Sequence, residues 1–382
     1  MTTETLAPLR SGKLVVFFTR GMSLQGWRRA GILEREIAVY RELLADSFES
    51  LAFVTYGGPD DLELTHILPN LEVLPNTRGR APNLYSVLAP WLHRKSLGSG
   101  SVFKANQING AWCGMIAKAL FRKPLIVRCG FLWSDSVARQ TSSQWRRLLA
   151  RGLERLAFRA ADRVGVADEA DRDTVAGRYR LDAARLVVAP NYVDTSLFRP
   201  EQGVTCERGR IAFVGRLEPE KNLDSLLDAL CGMPDVALTI VGDGSLRGAL
   251  EAKALASGLD VEFLGRLPGA DVPAVLRRAQ VFVLPSHYEG NPKALAEAMA
   301  CGVPVVATRV PGIRDMVNDR ETGLLCGISS AEIRSALTDV LNDESLRARL
   351  RDGGLRYVDE RCSLGIVVER ERALLRSLVT VT

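Results

Sequence analysis

A chain of 382 residues with a formal net charge of +5 exceeds the size at which one hydrophobic core keeps growing, so two domains are expected. Its 47% hydrophobic and 25% charged content is that of an ordinary globular protein, and no apolar run reaches the roughly 18 residues of a membrane span. Seven scattered cysteines without a C-x-x-C, and only three histidines, argue against a disulfide frame or a histidine-rich metal site and for free thiols in a reducing cytoplasm.

Strand-like apolar runs alternate with amphipathic helical runs throughout, the pattern of parallel α/β architecture. After a loose tail, Leu14–Thr19 reads as a first strand, too short for the apolar core of a signal peptide. Leu51–Tyr56, Ser101–Lys104, Pro124–Arg128 and Arg163–Ala167 follow as strands, with helices at Ala30–Leu44, Gly110–Phe121 and Gln144–Ala161. In the last helix, Trp145, Leu148, Leu149, Leu153, Leu156 and Ala157 recur at helical spacing. Arg146, Arg147, Arg151, Arg155 and Arg159 fill much of the rest. Such a helix either packs its apolar residues on the core, the reading favoured here, or lies on anionic lipid. Residues 1–190 carry 27 Lys/Arg against 18 Asp/Glu and the remainder 23 against 27, so the first half is the basic one.

Near Val187 periodicity gives way to LVVAPNYVDTSLFRP, a strand running into an Asn/Asp/Pro-rich connection, and the domain boundary is placed there. Strands then resume at Ile211–Gly215, Ala237–Gly242, Val261–Gly265, Val281–Leu284 and Val303–Thr308. Helices fall between them at Asn222–Leu230, Ser245–Ser257 and Asp271–Ala279, and the tail, Ala331–Leu350 and Ser363–Val379, is helical. VFVLPSHYEGNPKALAEAMACG, from Val281 to Gly302, combines a buried strand, a polar loop and a helix. Asn291 is the expected N-cap, Pro292 the first helical residue, and Gly302 lies just past the end. The loop brings Glu289, Gly290 and Asn291 to a helix N-terminus, a place that favours anions in open α/β sheets. Glu297 lies farther along the same helix.

Other strand ends carry loops of the same kind. Gly215 is followed by Arg216 and, farther on, Lys221 and Asn222; the two cations could share one diphosphate. Gly242 and Gly244 would let backbone approach a ligand, but Arg247 breaks a dinucleotide G-x-G-x-x-G and disfavours a nicotinamide dehydrogenase. Gly265-Arg266-Leu267 could read the edge of a base with its backbone.

In that order, GRLEPEKNLDSLLDAL, LTIVGDGSLRGALE, VEFLGRLPGADVPAVLRRAQVFVLPS, YEGNPKALAEAMACGVPVVAT and VPGIRDMVNDRETGLL resemble the donor-binding half of retaining glycosyltransferase family four, over roughly residues 208–330. The resemblance implies the GT-B fold, two tandem Rossmann-like α/β domains facing a cleft, with C-terminal helices crossing back to the first domain. The domains would be 1–190 on the acceptor side, 191–362 for the nucleotide sugar, and 363–382 returning to the first. It further implies that Arg216 and Lys221 stabilise a leaving diphosphate. Glu289 and Glu297 match E-x7-E, with Glu289 beside the donor sugar and Glu297 on the ribose hydroxyls. Backbone at Gly290, Asn291 and Pro292 would lie against sugar and phosphate, and Arg266 and Leu267 would frame the base. PNYVDTSLFRP resembles the family's inter-domain PNGVD segment, with Tyr192 in place of glycine.

The first half departs from the family's pattern. The basic loop Thr19–Arg29 lacks adjacent glycines, leaving Gly21 and Gly26 as candidates, and the usual histidines are replaced around Lys104 and Cys129. Asn106, Gln107 and Arg128 complete the acceptor-side candidates, and no general base is named. His287, beside Glu289, is the best placed of the three histidines. The resemblance, together with these features, leads us to expect a cytoplasmic, metal-independent glycosyltransferase without cofactor, and the resemblance implies that it is a retaining one. It would use a UDP or GDP sugar and a glycan, lipid-linked or other hydroxyl acceptor, as in polysaccharide biosynthesis. No nucleic-acid partner is expected, and Gln144–Ala161 offers peripheral contact with the inner membrane face. The alternatives are a nucleotide-sugar hydrolase or epimerase on the same fold, or a non-catalytic nucleotide-sugar-binding protein.

Overall fold

The computed structural model describes residues 12–130, 132–140 and 143–379, so the N-terminal tail lies outside them. Two compact units result: one runs to Ala189 and resumes at Val367, and the other is Pro190–Ile366.

The first unit is built on β1 (Lys13–Phe17), β2 (Ser50–Val54), β3 (Leu71–Leu74), β4 (Val102–Ala105), β5 (Leu125–Cys129), β6 (Arg163–Val166) and β7 (Leu186–Val188). All pair in parallel, in the order β3-β2-β1-β4-β5-β6-β7. Buried Val15 and Phe17 on one face of β1, and Leu14 and Val16 on the other, show why the strands read as continuous apolar runs: a parallel sheet is covered on both faces. Its helices are α1 (Leu24–Arg29), α2 (Leu33–Asp46), α3 (Pro82–Leu92), α4 (Arg94–Gly98), α5 (Ala111–Phe121), α6 (Trp133–Gln140), α7 (Gln144–Ala160) and α8 (Glu169–Tyr179). The expected loop after β1 is thus partly helical. Ser23 caps α1 by accepting from the Gly26 amide at 2.9 Å.

Helix α7 inverts the favoured sequence reading. Ala150, Glu154, Ala157 and Phe158 form its buried face, while Trp145, Leu148, Leu149 and Leu156 are 51 to 67% exposed. The buried acid is satisfied: Glu154 accepts from the Ser134 amide at 2.8 Å and from the Tyr179 hydroxyl.

The second unit repeats the design with β8 (Arg210–Val214), β9 (Ala237–Val241), β10 (Val261–Gly265), β11 (Val281–Leu284), β12 (Val305–Thr308) and β13 (Leu324–Cys326), ordered β10-β9-β8-β11-β12-β13 and parallel throughout. Helices α9 (Leu223–Leu230), α10 (Arg247–Ala256), α11 (Val272–Arg278), α12 (Lys293–Ala300), α13 (Ser330–Asn342) and α14 (Glu344–Tyr357) cover it. The single helix expected over Ala331–Leu350 is two, divided at Asp343. Its backbone is extended and its carboxylate accepts from the Leu346 amide at 2.9 Å to start α14. The last helix, α15 (Leu364–Val379), returns to the first unit, where Arg372 pairs with Asp46 at 2.6 Å. Among the described residues no helix is long and apolar enough to cross a membrane.

Candidate active site

Strand order places the site. In the second sheet the chain runs outward from β8 in one direction and from β11 in the other, and these two strands are hydrogen-bonded neighbours. Loops leaving the C-terminal ends of such a pair diverge and open a crevice between them, the usual ligand site of an open α/β sheet. Arg216, Lys221, Glu289, Gly290 and Asn291 sit in these two loops.

After β8 come Gly215, Arg216 and a short 3-10 turn, Pro219–Lys221, which ends on Asn222 in the left-handed conformation at φ 54°. The Asn222 side chain is buried and donates to the Pro285 carbonyl at 3.0 Å and the Ile328 carbonyl at 2.9 Å. It thereby ties the β8 loop to the chain leaving β11. The tie is tightened by the His287 amide, which donates to the Glu220 carbonyl at 2.8 Å. Lys221 is the beneficiary: its ammonium meets Glu289 at 2.5 Å, and the Ser286 hydroxyl donates to the same carboxylate oxygen at 2.6 Å. Ser286 is held in turn, its carbonyl accepting from the Thr308 hydroxyl at 2.5 Å. Arg216 stands at the rim, 72% exposed, with its guanidinium on Glu220 at 2.7 Å.

Helix α12 starts one residue later than its punctuation suggests. The Asn291 carbonyl, which as an N-cap would accept the first helical bond, accepts instead from the Asn191 side chain at 2.9 Å. Pro292 is therefore the extended N-cap, and Gly302 closes the far end at φ 74° as expected. Glu297 is buried on this helix. Gly312 supports the loop from behind, since a Cβ there would lie 1.8 Å from the Gly290 carbonyl oxygen.

Gly242 and Gly244 also pack closely against a neighbouring loop. Cβ atoms on them would meet the carbonyl oxygens of Gly215 at 1.8 Å and Leu217 at 2.4 Å, so the close approach they permit is between the β8 and β9 loops. Backbone bonds knit those loops together, Gly215 to Val241 at 2.9 Å and Leu217 to Asp243 at 3.0 Å. Arg266 projects to solvent beside Asp243, at 3.9 Å, and Leu267 packs at the edge of the core.

In the first unit the candidates also gather where the strand order reverses, after β1 and β4. Gly21 lies in a turn at φ 82° with open space around it. The N-terminal amides of α1 are already taken, Leu24 at 3.2 Å and Gln25 at 2.9 Å from the buried carboxylate of Asp61. Asn106 accepts from the Tyr40 hydroxyl at 2.6 Å, and Gln107 accepts from the Gly130 amide at 3.1 Å. Arg128 lies in β5 close enough to influence Tyr40, whose phenol is pushed far up by burial and by Glu371. Asn222, Ser286 and Asp61 are the organising residues that sequence reading left out of the site. For Asn222 the signal was its place directly after Lys221 at a helix start. Burial pushes the Cys301 and Cys326 thiols up to about 12, which removes them as nucleophiles near neutral pH.

Residues 195–356 match the family model for glycosyl transferases group 1, and residues 39–197 match that for glycosyltransferase family 4. Both matched regions, which together run from 39 to 356, are similar to glycosyltransferases. The chain is 34% identical over 218 residues to the 2-deoxystreptamine N-acetyl-D-glucosaminyltransferase of Streptomyces fradiae, covering 53% of this chain and 52% of that one. It is 33% identical over 196 residues to a GDP-mannose-dependent monoacylated alpha-(1-6)-phosphatidylinositol monomannoside mannosyltransferase of Corynebacterium glutamicum, covering 48% and 51%. The chain spans about half the length of the curated relatives it matches. Its fold is that of Anabaena HepE, solved with UDP and glucose, at a TM-score of 0.75 and 22% identity over 96% of this chain and 100% of that one.

Proposed function

We propose that the chain moves a glycosyl residue, with retention, from a nucleoside diphosphate sugar to a hydroxyl of a glycan or lipid-linked acceptor. The observation that carries this reading is the placement of Lys221 against Glu289, with Ser286 and Asn222 fixing both loops at the reversal point of the second sheet. Breaking the anomeric carbon–oxygen bond leaves an electron pair on the diphosphate and develops positive charge on the sugar. A preorganised ammonium stabilises that departing anion more in the transition state than in the ground state, which is what accelerates the step. Lys221 is assigned this role, with the exposed Arg216 contacting the same phosphates and supplying charge that a divalent ion would otherwise bring. Glu289 orients Lys221 and faces the sugar, Glu297 takes the ribose hydroxyls, and Gly290, Asn291 and Pro292 line the sugar and phosphate with backbone. Arg266 and Leu267 frame the base. The acceptor hydroxyl attacks the anomeric carbon as the bond opens, and its proton passes to the leaving phosphate oxygen. Gly21, Gly26, Asn106, Gln107 and Arg128 are assigned to the acceptor side.

The GDP-mannose dependence of the Corynebacterium relative makes GDP as well as UDP a necessary arm of the test. A panel of UDP and GDP sugars scored by thermal shift should stabilise the protein selectively for one base, because a ligand that binds only the folded state raises its melting temperature. Glu297→Ala should weaken that shift while leaving the parent fold intact. If no donor of either base shifts the melting temperature, or if Glu297→Ala binds donor as tightly as the parent, the site assignment fails. Release of nucleoside diphosphate without any dependence on acceptor would favour a hydrolase.

A further inference from the structure

Three helices of the first unit make one surface. Helices α3, α5 and α7 connect β3 to β4, β4 to β5 and β5 to β6, all progressing the same way across the sheet. Right-handed crossovers in one direction put them on one face, and α5 packs against both neighbours. Their outer sides are unusually apolar. On α7, Trp145, Leu148, Leu149 and Leu156 form a stripe diametrically opposite the buried Ala150, Glu154 and Ala157. On α3, Leu84, Val87 and Trp91 repeat the arrangement, each close to half exposed.

The same segment is almost without acids. From Val73 to Ala161 the chain carries fifteen Lys/Arg against two acids, Asp135 and Glu154. Neither acid offsets the outer charge: Glu154 is buried, and Asp135 pairs with Arg178 at 2.7 Å. Arg146, Arg151, Arg155 and Arg159 flank the apolar stripe of α7, are exposed, and make no ion pair among the described residues. The helix is anchored beneath by Arg147, which donates to the Ala138 carbonyl at 2.9 Å. An apolar ridge between cationic flanks, on a helix already folded and packed from below, is the form of an interfacial element.

We propose that this face docks on an anionic phospholipid bilayer. Helix α7 lies in the interface plane, Trp145, Leu148, Leu149 and Leu156 enter the boundary between headgroups and acyl chains, and the flanking arginines meet lipid phosphates. Charge decides between occupants. A second copy would bring one strongly cationic face against another, which repels. Nucleic acid would satisfy the arginines but leave the leucines in water. Only an anionic surface with an apolar interior satisfies both sets at once. The docking does not depend on the proposed transfer reaction and is measured without donor or acceptor.

The test is sedimentation of the full chain with vesicles of phosphatidylglycerol and phosphatidylcholine against vesicles of phosphatidylcholine alone. The parent should partition to the anionic vesicles and be released by salt. R151Q with R155Q should lower the partition coefficient about 25-fold, at roughly fivefold per charge removed. L148S with L156S should lower it at least about tenfold. Brominated lipid should quench parent tryptophan emission more than that of W145F. All of these side chains are exposed, so the variants should unfold at the parent's temperature, which separates lost binding from lost folding. The proposal is overturned if the parent does not sediment. It is also overturned if the arginine pair matters and the leucine pair does not, the outcome a nucleic-acid surface would give. Self-association abolished by the leucine substitutions, without vesicle binding, would assign the face to a second copy and likewise sink it.

Discussion

Each unit holds a lysine–glutamate pair 2.5 Å apart near the carboxyl ends of its central strands. In the second unit Lys221 and Glu289 come from two loops, stay partly accessible, and share Glu289 with a serine hydroxyl. In the first unit Lys104 lies within β4 and Glu371 on α15, both almost fully buried, with the ammonium 5.1 Å from the centre of the Tyr40 ring. One pair is open enough for a ligand to rearrange. The other is a tether that fixes the returning C-terminal helix. The same chemistry thus serves opposite ends, and solvent access and the rigidity of the supporting elements make the difference.

The largest expected effect breaks the accessible pair. Lys221→Ala should lower turnover about a thousandfold, the scale of removing one preorganised donor from a developing anion. Its melting temperature should stay near the parent's, because Glu289 keeps its serine partner and some water. Nucleoside diphosphate release under saturating donor, with calorimetry on the same sample, separates the two effects. Normal turnover would remove Lys221 from the chemistry.

Breaking the buried pair should invert that result. Lys104→Met leaves the Glu371 carboxylate buried without its cation and should destabilise the first unit by about 3 kcal/mol or more. Adding Glu371→Leu should recover most of the loss, since two apolar side chains in place of a buried ion pair are often neutral or better. Denaturant melts of the single and double variants decide the point. A double variant as unstable as the single one would mean that the pair does more than cancel its own burial.

Glycines divide along the same line. Gly242→Ala puts a methyl group on the Gly215 carbonyl at a backbone φ of 139°, and should cost about 2 kcal/mol or more because two backbones must separate. Gly21→Ala meets no atom within 4 Å, so only its φ of 82° is strained, at about 1 kcal/mol. Thermal melts should rank them in that order. Equal losses would show that the β8 and β9 loops part easily.

Much of this was legible in the sequence. The strands are predicted within one or two residues because parallel strands are apolar on both faces and closed by turn residues, as at Val281–Leu284. The short strands Leu71–Leu74 and Leu324–Cys326 went unread, being too brief to show any period. Helix α3 was missed as well; Pro82 at its start is a legible signal, but Pro90 inside it reads as a break. The residues of the β8 and β11 loops stand out because motif and strand end coincide. What sequence periodicity cannot supply is which side of a helix faces inward. In α7 the apolar stripe is the larger signal, yet the core takes the small alanines and an acid that Ser134 and Tyr179 satisfy. Asn106 and Gln107 show the same limit, because their internal partners, Tyr40 and the Gly130 amide, are distant in sequence.

The smallest expected effect concerns acid, and each unit again supplies one group. At Asp319 partial burial raises the carboxyl pKa, but the Leu325 amide and Arg309 outweigh it and hold the group below its ordinary range. At Glu72 partial burial is likewise outweighed, by Lys13 and the Ser96 hydroxyl. A carboxyl depressed in the folded state contributes stability above its unfolded pKa, about 3.9 for Asp and 4.3 for Glu, and loses it as pH falls through the folded value. Asp319→Asn and Glu72→Gln should therefore each melt below the parent at neutral pH, and both differences should shrink as pH drops below about 4. Both groups are solvent-screened, so shifts of a few degrees at most are expected. Because the two carboxyls belong to different units, a difference that closes for one variant and persists for the other would show that the units lose their acid-sensitive contacts independently.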